Sequence, residues 1–120
     1  MTNEIHIFAG DSDKEVVTLT DQLGVALDLT LYGIIFTVRK NINDTTFVIQ
    51  KKNIVAGGSD LEIEMFDPVH GIFKIIIKKE DTTPLRRQGN RYIYDIQIEL
   101  NDFRKTVILD NFIVEDDITW

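Results

Sequence analysis

The sequence predicts an all-β domain, an antiparallel sandwich or barrel of roughly eight strands, spanning residues 1–120 as one unit. Three observations carry this. Apolar and polar residues alternate with a period of two in one segment after another, as in strands with one buried and one wet face. Turn residues punctuate these segments at short spacing. No segment longer than a single turn shows the 3.6-residue periodicity of an amphipathic helix.

The elements follow in order. Ile5 to Phe8 forms a short first strand, ended by Gly10-Asp11-Ser12-Asp13. Val16 to Thr20 forms the second, before a turn at Asp21-Gln22-Leu23-Gly24. From Ile34 to Arg39, the residues Ile34, Phe36 and Val38 share one face and Ile35, Thr37 and Arg39 the other. A turn at Asn41 to Asp44 leads to a strand over Phe47 to Lys51, then a loop at Gly57-Gly58-Ser59. Leu61, Ile63 and Met65 alternate with Glu62 and Glu64. Asp67-Pro68 opens a turn that Gly71 closes.

Phe73, Ile75 and Ile77 then share a face against Ile72, Lys74, Ile76 and Lys78. Glu80 to Leu85 suits one helical turn. Tyr92, Tyr94, Ile96, Ile98 and Leu100 point one way, with Asp95, Gln97 and Glu99 opposite. Thr106 to Val114 is the last strand, with a bulge expected at Asp110-Asn111, where the alternation falters. The expected core comprises Phe36, Val38, Ile63, Ile75, Tyr94, Ile96 and Ile98.

Composition narrows the function. With 43% hydrophobic and 28% charged residues the chain is globular. A domain of this size buries roughly two-thirds of its unfolded surface, enough to fold without staples. There is no cysteine, which removes disulfides and thiolate metal sites. The net charge of −7 opposes binding to nucleic acid or anionic lipid. The pairs Lys51-Lys52, Lys78-Lys79 and Arg86-Arg87 read as solvated edge charges. The polar start Met1-Thr2-Asn3-Glu4 does not resemble a signal peptide, and no run reaches the ~20 apolar residues of a membrane span. The chain is therefore expected to be made and kept in the cytosol, or to leave it by another route such as virion release.

Chemistry finds little to work with. His6 lies in a strand and His70 in a turn, with no nucleophile motif beside either. No phosphate loop, dinucleotide fingerprint or HExxH motif occurs. Asp11 with Asp13, and Asp116 with Asp117, are the best calcium candidates, but they lack EF-hand spacing. Tyr32, Tyr92, Tyr94 and Trp120 could build a sugar platform, yet Tyr92 and Tyr94 lie on the core row. A tyrosine at the start of a late strand also suits a tyrosine corner. No cofactor is expected, and the chain reads as a non-enzyme.

Several segments, taken in order, resemble a phage family. These are Gly10-Asp11-Ser12; Asp28-Leu29-Thr30 followed by Phe36-Thr37-Val38; and Gly71-Ile72-Phe73 with Glu80-Asp81-Thr82, Leu85 and Gly89. Tyr92-Ile93-Tyr94-Asp95-Ile96-Gln97 follows, and the series closes on Thr106-Val107-Ile108, Phe112-Ile113-Val114 and Asp117-Ile118-Thr119. Together they are similar to the N-terminal domain of baseplate upper proteins and related short proteins from phages of Gram-positive hosts. The resemblance implies an immunoglobulin-like sandwich located in the virion, a tail or baseplate adaptor or assembly component. It also implies partners among other tail or baseplate proteins, with a homo-oligomer as a further option. Such a domain usually leads into a shaft that holds the receptor-binding region; here the sequence stops after Asp117-Ile118-Thr119, so a stand-alone part is expected.

The alternative is a carbohydrate-binding sandwich that assists adsorption. Apolar residues left over from the core rows, Ile35, Ile72 and Ile76, are the candidate interface, provided they fall on one face.

Overall fold

The computed structural model describes residues 3–8, 10–53, 62–87 and 91–115, with the side chains of residues 86 and 87 left out. Eight strands form two sheets. They are β1 (Ile5–Phe8), β2 (Asp13–Thr18), β3 (Gly33–Arg39), β4 (Ile49–Lys52), β5 (Ile63–Asp67), β6 (Ile72–Ile77), β7 (Arg91–Leu100) and β8 (Phe103–Glu115). One sheet has the order β1-β8-β7-β3-β4 and the other β2-β6-β5. Every neighbouring pair is antiparallel except β1 with β8, which run parallel. The expected helical turn is present as α1 (Lys79–Thr82), continued by a 3₁₀ segment over Thr83–Arg87.

The inward rows of both sheets meet in one core. Phe36, Val38, Ile63, Ile75, Tyr94, Ile96 and Ile98 are all buried, as the alternation predicts. Phe36 sits at the centre, its ring 5.5 Å from that of Tyr94 and 6.2 Å from that of Phe112. Beyond the expected rows, Leu19, Leu29, Leu85 and Phe112 are also buried.

Four details depart from the sequence reading. The second strand begins earlier than expected and stops at Thr18, because Thr20 instead bridges Ala26 across the next turn. The fourth strand begins only at Ile49, leaving Phe47 half exposed in the preceding loop. The bulge of β8 lies not at Asp110-Asn111 but between Ile108 and Thr106. Asp110 can hold its place in the inward row because it sits at the sheet margin, where its carboxylate accepts the backbone N–H of Asn3 at 2.7 Å.

The fourth correction concerns Lys51, which is no solvated charge. It alternates with Ile49 into the interior, 5% exposed, and its ammonium lies 2.7 Å from Asp81. A buried cation must be paired to be tolerated, and α1 supplies the partner. The same Asp81 oxygen accepts the backbone N–H of Lys78, fixing the first turn of α1. Lys52, Lys78 and Lys79 are exposed as expected. Leu61, Gly57-Gly58-Ser59, Gly89, Asp116, Asp117, Ile118, Thr119 and Trp120 lie outside the described residues.

Candidate interaction surfaces

Several of the turn and strand-start segments singled out in the sequence form joints of the fold. The backbone N–H of Gly10 donates to the Thr82 hydroxyl at 2.9 Å, and that hydroxyl lies 3.3 Å from the Asp11 carbonyl. Ser12 accepts the N–H of Lys79 at 3.1 Å. The loop after β1 is thereby bolted onto α1. Asp28 folds back on Thr30, accepting its N–H and its hydroxyl, and these bonds hold the carboxyl below its ordinary pKa. That turn drives Leu29 to full burial, where its N–H donates to Pro68 O at 2.8 Å.

Gly71 adopts a left-handed φ of 73° after the 3₁₀ turn Pro68–His70. Its carbonyl accepts the N–H of Leu19, whose own carbonyl accepts that of Leu27.

Tyr92 enters β7 fully buried, and its hydroxyl donates to Leu85 O at 3.2 Å. A tyrosine near a strand start that bonds to backbone a few residues upstream is a tyrosine corner. Tyr92→Phe should keep the packing and leave that buried carbonyl without its donor, costing ~1–2 kcal/mol. Urea unfolding would show this as a lowered midpoint at unchanged slope; an unchanged midpoint would mean the hydroxyl contributes nothing.

The remaining candidates divide plainly. Tyr94 is core, its hydroxyl bonded to the Asn3 carbonyl, and burial raises its pKa first, helped by Asp110 and Glu15. Tyr32 is half-buried against the core, so the described tyrosines make no sugar platform. His70 is exposed and pairs with Asp67 at 2.9 Å. His6 is exposed on the outer side of β1, between Glu4 and Glu115.

Hydrogen bonds to those two carboxylates, Glu4 first, raise the His6 pKa, while Asn111 and then His6 lower that of Glu4. The ring therefore clamps β1 to β8 best when charged. The clamp is complete below the ordinary imidazole pKa and is lost as pH rises through the raised one. No group of three or more His, Asp or Glu among the described residues is arranged to hold a metal ion, and Asp11 and Asp13 form no such set.

Ile35, Ile72 and Ile76 do not share a face. Ile35 projects from the outer side of the five-stranded sheet, beside Gln97 and Lys52. Ile72 and Ile76 project from the outer side of the three-stranded sheet, facing away from it. All three are half-buried.

On that second face they lie with Val16 and Phe66, 60% and 61% exposed, and Lys74 stacks 4.5 Å over the Phe66 ring. Lys74 and Lys14 both reach Glu64.

Two hollows lie on the surface of the described residues. One, of about 250 Å³, opens between β1 and β2 over Tyr94 and Ile108, with Glu4 and Glu15 on its walls. Burial, then Asp13, raises the Glu15 pKa. The other, of about 450 Å³, lies between the Thr20–Leu23 turn and Lys105–Val107 of β8. No protein-family model matches the chain, and no curated protein is significantly similar to it.

Proposed function

We propose that this chain is a non-enzymatic structural protein of a bacteriophage tail or baseplate, an immunoglobulin-like sandwich that works as an adaptor or assembly component through protein–protein contacts. The observation that carries this reading is the joint built by the resembling segments. Gly10-Asp11-Ser12 docks on Lys79 and Thr82 of α1, and Leu85 O receives the Tyr92 hydroxyl. Segments scattered over the sequence thus serve one architecture, and a tyrosine corner favours the immunoglobulin-like form of the sandwich. The exposed Val16 and Phe66 on the three-stranded sheet are consistent with an adaptor, whose work is to bury such residues against a neighbour.

The test is composition of the particle. Virions produced from the genome that encodes the chain should contain it in fixed ratio to the tail proteins by quantitative mass spectrometry. Antibody-gold should label the tail. Absence from particles and from tail-assembly intermediates would reject the proposal.

A further inference from the structure

We propose that the 250 Å³ hollow between β1 and β2 binds a primary alkylammonium group, with Glu15 as its counter-ion. The site does not depend on the tail-adaptor reading. Glu15 stands on the inward row of β2, where it pairs with Ile75 and its neighbour Val17 with Phe73, both fully buried partners. Such a row ordinarily carries apolar side chains. A carboxylate half-buried there calls for a cation beside it. Lys51, also on an inward row, has its counter-ion in Asp81.

Glu15 has none. Among the described residues no lysine, arginine or histidine forms an ion pair with it. The titratable groups around it are acids. Asp13 neighbours it on β2, Glu4 and Tyr94 line the same hollow, and Asp110 of β8 acts with Glu15 on the Tyr94 hydroxyl. Burial, the Asp13 charge and a hydrogen bond shared with Asp13 all raise the Glu15 pKa. An uncompensated, perturbed carboxyl in a concave site marks a place for a ligand.

The lining defines that ligand. Ile5, Val17 and Ile108 make one wall apolar, and Glu4 and Glu15 supply carboxylates. Hydrogen bonds from Asn111 and His6 hold Glu4 below its ordinary pKa, so it is an anion. An alkyl stem ending in an ammonium matches both parts: its N–H groups donate to carboxylate oxygens while the stem covers the apolar wall. A free amine or a lysine side chain of a neighbouring protein would present this group. β1 and β2 are edge strands, so an extended segment would find backbone to pair with at the mouth of the hollow.

NMR titration of the full chain tests the site. Butylammonium chloride should shift the resonances of Glu15, Val17 and Tyr94 saturably, and butanol should not. Glu15→Gln should weaken this binding at least ~10-fold. Asp102→Asn, an exposed acid in the β7–β8 turn, should leave it unchanged. A short peptide with one lysine, set against its norleucine counterpart, separates the sources. Lysine-dependent binding tighter than that of butylammonium identifies a protein-borne lysine; otherwise the ligand is a free amine.

A second readout needs no ligand. Glu15→Gln removes an uncompensated anion, so it should melt above wild type at neutral pH. The gap should close as pH falls through the raised Glu15 pKa, because protonation relieves the wild type. Absence of a saturable shift with butylammonium overturns the proposal. So does binding that survives Glu15→Gln, a response to butanol equal to that of the amine, or a Glu15→Gln variant that melts below wild type. Absence of the protein from virions would leave these results untouched.

Discussion

Gly71→Ala is expected to lower the free energy of unfolding by about 4 kcal/mol. The residue holds a φ of 73°, where an L-residue pays ~1–2 kcal/mol. The larger effect is contact. A Cβ here would lie 2.5 Å from the Leu19 carbonyl oxygen and 2.8 Å from that of Leu27. Both obstacles are backbone, so no side-chain rotation relieves them. The 2.9 Å bond from Leu19 N–H to Gly71 O and the 3.0 Å bond from Leu27 N–H to Leu19 O would have to part. Urea denaturation measures the loss. A cost below ~1 kcal/mol, within the ordinary range for a surface change, would show that the joint yields easily.

Phe36→Ala should cost ~3–5 kcal/mol, the usual range for a large aromatic truncated in a core. The ring is fully buried between Tyr94 and Phe112. Its loss opens a cavity in the middle of the five-stranded sheet's inner face. Domains of this kind have only ~5–15 kcal/mol in hand, so the variant should melt far below wild type. Ile35→Ala is the control, because Ile35 lies on the opposite side of β3 and should cost ~1 kcal/mol or less. Equal costs for the two would mean that the facing of β3 is off by one residue, since a one-residue slip exchanges the two faces.

The core was legible because strand periodicity is local. Once Phe36 faces inward, Ile34 and Val38 must follow, and the same holds from Tyr94 to Ile98 along β7. What the sequence could not show is which strands share a sheet, because pairing joins residues far apart. That is why Ile35 could be grouped with Ile72 and Ile76 although the sheets point them in opposite directions.

Lys51 is a different case. Alternation from Ile49 places it inside, but a lysine on the inward row is credible only once Asp81, thirty positions later, is known to meet it. The turn at Asp21 to Gly24 was also visible in the sequence. The hollow beside it was not, because its other wall comes from Lys105 to Val107 on β8.

The parallel pairing of β1 with β8 has a consequence for how the chain folds. Asn3 and Asp110, bonded at the margin of this pair, are 107 positions apart. No local event can bring such segments together, and contacts of this separation slow folding toward the millisecond-to-second range typical of sandwiches. During synthesis β1 is made early, but it cannot dock until residues 112–115, which supply its register, have left the ribosome. Until then Ile5 and Ile7, buried in the finished domain, stay uncovered. Closure of this edge is therefore a late step, and the interval before it is when the chain is most open to capture by a chaperone or to aggregation.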